Sequence, residues 1–310
     1  MSELFSDIVN DVGVLVQRSG DTDYATKIKV WINISQRILA SIYDYWNALK
    51  DIYNFTTVAS QERYNLVRGF DKPLRIFDIT NNNKLEIWTE EEYIEGNLGS
   101  LSVTGKPNIA RIYGEESVDT QISSTGTLSV VSSNSNDGSS FTILVRGLVN
   151  GYDDYEEITL NGTTAVAGTK SFSSVTHISK SGVTTGYITI TRGSTTIVVL
   201  EPDEKVARRK RLYLGQNIPA GAYSIRILYK KTVKKLIRDY DFPFVDCSNF
   251  LIYDACGQAL QQDKDTAERA IFMFKRAEDE MLRLINSEGG QYGPDFQNKY
   301  VADYWRAHRK

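Results

Sequence analysis

Two histidines and two cysteines are all that this 310-residue chain offers to most metal, redox and proton-transfer chemistry, and their spacing removes nearly all of it. His177 stands in an alternating stretch beside Thr176 and Ser179, where a serine–histidine hydrolase is conceivable. The chain has no G-x-S-x-G turn to expose a nucleophile and no acid at a useful spacing, so His177 reads as a strand residue. Cys247 and Cys256 lie on opposite faces of a helical stretch, about 13.5 Å apart along its axis, too far for a disulfide. With no Cys-x-x-Cys or His-Glu-x-x-His pattern they read as inert, buried thiols and not as zinc ligands. Glu90-Glu91-Glu92 and Glu95 could be the paired carboxylates of a glycosidase. Three consecutive acids after Thr89 fit better as a helix N-terminus, where negative charge meets the helix dipole. Asp153, Asp154, Glu156 and Glu157 follow Asn150-Gly151 and could give oxygen ligands to calcium, but lack the spacing and glycine of a calcium loop. Gly182-Val-Thr-Thr-Gly186 lacks the Lys-Ser/Thr and helix of a phosphate cradle. The expectation is therefore no catalytic residue, no metal, no cofactor and no enzyme activity.

The elements that would position these groups change character along the chain. A 41% hydrophobic and 24% charged composition is that of a globular protein, and no run of eighteen apolar residues is present to span a membrane. The acidic start Met1–Gly13 lacks the pattern of a secretory signal, so assembly in a cytoplasm is expected. Net charge is −3: residues 1–116 carry 17 acids and 12 bases, 117–202 carry 7 and 4, 203–240 carry 3 and 11, and 241–310 carry 12 and 9. The second segment is rich in Ser, Thr and Gly, yet its polar residues alternate with β-branched and aromatic ones. Runs such as Phe141–Val145, Glu157–Leu160, Val175–Ile178, Gly186–Ile190 and Thr196–Leu200 are punctuated by Asp137-Gly138, Asn150-Gly151, Asn161-Gly162 and Ser181-Gly182. That pattern predicts an immunoglobulin-like sandwich.

Helical periodicity dominates on either side. Gly20 and Asp21-Thr22-Asp23 start a helix expected to run from 22 to 50, and Cys247, Leu251, Ala255 and Ala259 mark another. Asp265-x-x-Glu268 caps a third, which carries Ile271, Phe274 and Met281 and stops at Gly289-Gly290. Short strands, Tyr53–Val58, Tyr64–Val67, Leu74–Phe77, Leu85–Trp88 and Ile109–Tyr113, precede the Ser/Thr-rich segment, and Arg211–Leu214 and Tyr223–Tyr229 follow it. The predicted fold is α+β: a helical bundle with long N-terminal and C-terminal helices packed on a small β-sheet, plus the inserted sandwich. Residues 1–116 and 203–290 form the host, 117–202 the insertion, and 291–310 a docking tail that is unfolded in the free monomer.

This order of elements resembles the head-to-tail adaptor, or connector, proteins of tailed bacteriophages. The resemblance is carried by Ile32-Asn33 in the first long helix and Trp46 near its end, by Phe55-Thr-Thr-Val58 and Gln61-Glu-Arg-Tyr64-Asn-Leu66, and by Phe242-Pro-Phe244, Phe250–Ala255, Ala267–Ala270 and Asp279-Glu280 near the end of the chain. It covers roughly residues 20–80 and 211–286. The Pro usual after the Tyr-x-Leu element is Val67 here, and no Pro follows Trp46. The insertion is similar to immunoglobulin-like repeats of phage structural proteins through Glu157–Thr164 and Phe172–Thr176.

What the resemblance implies is a virion protein at the head–tail junction: a homo-oligomeric ring, commonly of twelve subunits, that binds the portal protein and a tail or nozzle protein and lets DNA pass through its channel. Trp31, Tyr43, Tyr45 and Trp46 are the expected subunit interface, because a long helix with aromatics beyond one stripe has more apolar surface than one core covers. Tyr292, Phe296, Tyr300, Tyr304 and Trp305 are expected to dock the tail on a neighbouring ring. Arg208, Arg209, Lys210 and Arg211, with Lys230, Lys231, Lys234 and Lys235, could track DNA phosphates. Ring contacts and solvated strand edges rank above that reading, since the chain as a whole is acidic, and any DNA contact would be non-specific. The competing function is a surface or carbohydrate-binding module, with Tyr152, Tyr155, Phe172 and Tyr187 as its platform.

Overall fold

The computed structural model describes residues 3–96, 103–122, 124–215, 217–262, 264–288 and 294–308. The chain opens with helices α1 (Phe5–Leu15) and α2 (Thr22–Ile42). Four strands follow, β1 (Lys50–Thr56), β2 (Arg63–Asn65), β3 (Phe70–Asp78) and β4 (Asn83–Trp88), then the short helix α3 (Glu90–Gly96), β5 (Val103–Gly105) and β6 (Ile109–Glu116). Next come β7 (Gly126–Ser132), β8 (Thr142–Val149), β9 (Tyr152–Thr159), β10 (Val166–Lys180), β11 (Ile188–Arg192) and β12 (Thr195–Leu200). β13 (Arg209–Gly215), β14 (Asn217–Pro219) and β15 (Ser224–Lys231) lead to α4 (Ser248–Leu260), α5 (Ala267–Ser287) and α6 (Pro294–Ala307). The chain forms two compact units, Met1–Asp51 with Lys230–Lys310, and Ile52–Tyr229.

In the first unit the helices bury their apolar faces against one another. Ile8, Val12, Ile28, Ile32, Leu39, Phe250, Phe274 and Met281 share one core. Gly20, at a φ of +83°, turns the chain into α2, where the Asp21 carboxylate accepts a hydrogen bond from the Tyr24 N–H at 3.0 Å as N-cap. The expected helix of 22–50 stops at Ile42, because Tyr43 is extended and Trp46 folds back to donate from Nε1 to the Leu39 carbonyl at 3.2 Å. The buried Lys230 ammonium donates to the carbonyls of Ala40 and Tyr43, placing a cation at the negative end of the helix dipole. Buried Asn33 and Gln36 hold the segment after β15: Asn33 exchanges hydrogen bonds with Leu236, and Gln36 donates to Lys234 and accepts from Phe244.

The second unit is all but wholly β. Seven strands form one sheet in the order β1-β15-β3-β4-β6-β13-β2. Its end strands nevertheless meet, because the Phe55 and Tyr64 rings lie 4.9 Å apart and the Tyr64 hydroxyl bonds Val58 and Gln61. Rolled in this way, the sheet encloses Tyr64, Phe70, Ile76, Leu85, Leu212, Leu214, Ile225 and Ile227 within its own curve. On its other face the Arg111 guanidinium lies 3.7 Å over the Tyr93 ring and pairs with Glu90 and Glu62, fastening α3 to β6. Thr89 and Glu92 cap α3 reciprocally, as the acidic run after Thr89 suggested.

The α+β expectation is therefore corrected. Among the described residues there are fifteen strands in three sheets and six short helices, 31% helical, with no long N- and C-terminal helices packed on a small sheet. The physical reason is that the sheet covers its apolar face by rolling, which leaves the helices to make a core of their own. The strands of the insertion form one hydrogen-bonded six-stranded sheet, β12-β11-β7-β10-β8-β9, whose two halves share a core that includes Leu128, Val145, Ile158, Ile190 and Val198. Strand β10 joins the two halves, pairing with β7 through Val166–Phe172 and with β8 through Phe172–Lys180. At the crossover, Gly147 is required, since a Cβ there would stand 2.0 Å from the Ser174 carbonyl oxygen. Asn150 and Gly151, both at positive φ, make the tight β8–β9 turn.

This six-stranded module hangs from a hairpin. Glu116 at the end of β6 pairs directly with Arg209 at the start of β13, and the module's hydrogen bonding runs on past residue 202, with the Lys205 carbonyl accepting from Lys180 and Ala207 donating to Ile178. Replacing residues 117–208 with Asn-Gly, together with Arg209→Thr, should leave a rolled sheet that unfolds cooperatively, at a cost below about 2 kcal/mol. Circular dichroism and urea unfolding check this, and loss of cooperative unfolding would show that the frame needs the module.

Candidate functional site

A polar cluster surrounds Asp254, the one acid on helix α4 and fully buried. Its Oδ2 accepts from Ser35 Oγ at 2.6 Å and Gln258 Nε2 at 2.7 Å. Its Oδ1 accepts from the Tyr304 hydroxyl at 2.7 Å and lies 2.9 Å from His308 Nε2. The other ring nitrogen of His308 is 2.9 Å from the Tyr304 carbonyl oxygen. Burial pushes the Asp254 carboxyl up, but His308, Ser35 and Tyr304 outweigh it and hold the group below the usual carboxylate range. For His308, burial works downward and Asp254 more than reverses it, so the imidazole is held above its ordinary value. Burial, followed by the Asp254 charge, raises the Tyr304 hydroxyl.

Serine, histidine and aspartate occur together here, yet the order of their contacts is not that of a nucleophile relay. Ser35 and His308 both address the same carboxylate, and Ser35 is wholly buried. The arrangement stabilises a charge and joins α2, α4 and α6. His177, the histidine weighed first as a catalytic group, stands on β10 opposite Arg146. The cysteines are free and buried, and burial pushes the Cys256 thiol up to about 12. No group of three or more His, Cys, Asp or Glu suited to a metal occurs among the described residues, and no helix there is long and apolar enough to cross a membrane.

The residues expected at partner surfaces are distributed unevenly. Trp46 is wholly buried and Tyr43 nearly so, edge-on at 5.3 Å. Trp31 is half-buried against Tyr24, which leaves Tyr45, 50% exposed, as the outward aromatic of the four. Tyr292 lies outside the described residues, as does the side chain of Phe296. The expected unfolded tail instead contains α6, with Tyr304 in the helical core, Tyr300 beside Tyr43, and Trp305 donating to Glu278 at 2.7 Å. An amphipathic helix with Asp254 beneath it has a place to fold, which the aromatic spacing alone did not disclose.

Most of the basic stretch is engaged by the protein's own groups. Arg209, 1% exposed, pairs with Asp119 and with Glu204 at 2.8 Å. Arg211 pairs with Glu116 and Lys231 with Asp51, while Lys210 donates to the Asp71 carbonyl. Lys230 pairs with Asp44 besides its helix carbonyls. Arg208, Lys234 and Lys235 are exposed. Arg68 joins the Arg209 cluster through Glu201 and Glu204, fastening the module at its root. The aromatics named for a sugar platform are likewise separated: Phe172 is wholly buried, and Tyr187 enters β11, with three strands between it and β9, which carries Tyr152 and Tyr155.

Comparison with protein-family models and with curated proteins finds no match for this chain.

Two groups that sequence reading passed over carry this architecture. Asp254 had a signal in its isolation among Phe250, Leu251, Ile252 and Ala255, because a lone acid on a buried helix face demands partners. Lys180 had none: its ammonium donates to Thr184 and to the carbonyls of Glu201 and Pro202 inside the module, and burial lowers it to about 8. Asp254→Ala should cost about 3–5 kcal/mol by stranding the donors around it, and Tyr304→Phe about 1.5–3 kcal/mol. Arg209→Ala should cost about 3 kcal/mol by leaving Glu204 under-compensated. Chemical denaturation of each variant measures these losses, and changes below about 0.5 kcal/mol would reassign the groups to the solvated surface.

Proposed function

We propose that this chain is a structural subunit of the head–tail junction of a tailed bacteriophage, a homo-oligomeric ring between the portal protein and the tail or nozzle whose channel passes DNA. The observation that carries the reading is that the residues of the sequence resemblance act as fasteners within their own units. Tyr64 ties the Phe-Thr-Thr-Val piece to the Gln-x-x-Tyr piece through Val58 and Gln61. Asn33 exchanges hydrogen bonds with Leu236 on the return segment, and Trp46 closes the end of α2. These are the positions a shared frame would keep for mechanical reasons. The engagement of the basic residues with acids of the same chain supports a role in which DNA contact is at most non-specific.

In this reading each subunit brings two different patches to a closed ring, and Tyr45 at the turn after α2 belongs to one of them. Mass photometry and negative-stain imaging of the purified protein, alone and with a phage portal ring, test it. Closed rings with an open centre are expected, and Tyr45→Glu should weaken ring formation at least tenfold while leaving the fold unchanged. Monomers that persist at micromolar concentration and ignore the portal ring would overturn the reading.

A further inference from the structure

We propose that the Asp254–His308 contact is a pH-sensitive latch, which holds the C-terminal helix α6 on the helical unit and releases it as the solution turns alkaline. The inference is independent of the connector reading, since it rests on the surroundings of one carboxylate and one imidazole.

Asp254 is ringed by Ser35 from α2, Gln258 from its own helix, and Tyr304 and His308 at the end of the chain. A carboxylate has about four lone-pair directions, and here four groups address them. Protonating it would set a hydrogen against a donor. His308 has the complementary problem, because both ring nitrogens approach atoms that only accept: the Tyr304 carbonyl oxygen and the Asp254 carboxylate, each at 2.9 Å. The Nε2–H lies out of line with the carboxylate oxygen, so this contact is one of charge more than of direction. A neutral imidazole would set a nitrogen lone pair against one of those oxygens.

Among the described residues, the remaining groups facing this pocket do not supply another cation. From α5 come the Phe274 ring, 4.6 Å from the imidazole, and Glu278, whose carboxylate accepts from Trp305 and acts on Tyr304. On the outer side of α6 Asp303 and Arg306 pair with each other at 2.9 Å, and Arg309 and Lys310 lie outside the described residues. Among the described groups the imidazolium is thus the positive partner of a fully buried anion.

The signs follow from the two shifts. His308 is held above its ordinary value of 6.5, so its contribution is complete below about that pH and is lost as pH rises through its folded value. Asp254 is held below 3.8, so its contribution is complete above that value and is lost as pH falls through the folded one. Hold on α6 is therefore strongest in mildly acidic solution, and alkaline release uncovers the apolar surface of Phe250 and Phe274 on which Tyr304 and Trp305 pack.

Hydrogen exchange of the full chain, corrected for the intrinsic pH dependence of amide exchange, tests the latch. Amides of residues 299–308 are expected to lose protection at least tenfold between pH 5.5 and pH 8.5 while α4 keeps its own, and His308→Gln should abolish that dependence. NMR titration of the unmodified protein serves if the variant does not fold. The chain has two imidazoles, and that of His308 is assigned by its proximity to Phe274 and Tyr304. Titration of His308 at or below 6.5, equal protection at both pH values, or a pH dependence that survives His308→Gln would each overturn the proposal.

Discussion

A sheet that is apolar on one face must hide that face, and much of this structure follows from how the seven-stranded sheet does so. It curls until Phe55 and Tyr64, from strands at opposite ends of the ladder, pack ring against ring. Tyr64 is suited to the join because one end of its side chain is apolar and the other is a hydrogen-bonding group. The ring enters the core, while the hydroxyl fixes the short connection through Val58 and Gln61. Once the sheet is covered from within, the helices must find their own partners, and they do so in a separate core.

That arrangement also explains where ionic groups are buried. Four of the buried charges stand where backbone or chain segments converge and would otherwise leave polar atoms unmet. Lys230 takes the last carbonyls of α2, Lys180 those of Glu201 and Pro202, Arg209 the acids at the module's root, and Asp254 the donors of three helices. Desolvating such groups is unfavourable, and a single partner seldom offsets it. Here each has several. The positive segment of the sequence thus serves largely as internal fastening, distributed among places that are far apart along the chain.

Local signals were legible and closure was not. Asn150-Gly151, Asp21 before α2 and Thr89 before the acidic run act as turn and caps because their physics is confined to a few neighbouring residues. Alternation likewise located β8 to β12, though not β7, and it does not say which strands pair. That pairing is set by β10, which changes neighbours at Phe172. The helix expected to reach residue 50 failed because its apolar spacing continues through Tyr43 and Trp46, whereas the chain turns there to bury both rings. The helical tail escaped notice for a related reason: Asp254 and Tyr304, which define its seat, are separated by fifty residues of sequence. Spacing within a segment carries no record of such a pairing.

The hairpin mounting of the module has a mechanical meaning. Force applied to the module enters the rolled sheet at the rung where Glu116 faces Arg209. Two antiparallel strands drawn apart from one end load their hydrogen bonds in succession, as a zipper does, and resist far less than strands sheared along their length. The ionic links from Arg209 to Asp119 and Glu204, and from Arg68 to Glu201 and Glu204, bridge that rung from the side. They share the tension before the first backbone bond opens, and so make the root of the appendage stiff under small loads and liable to peel once the arginines let go.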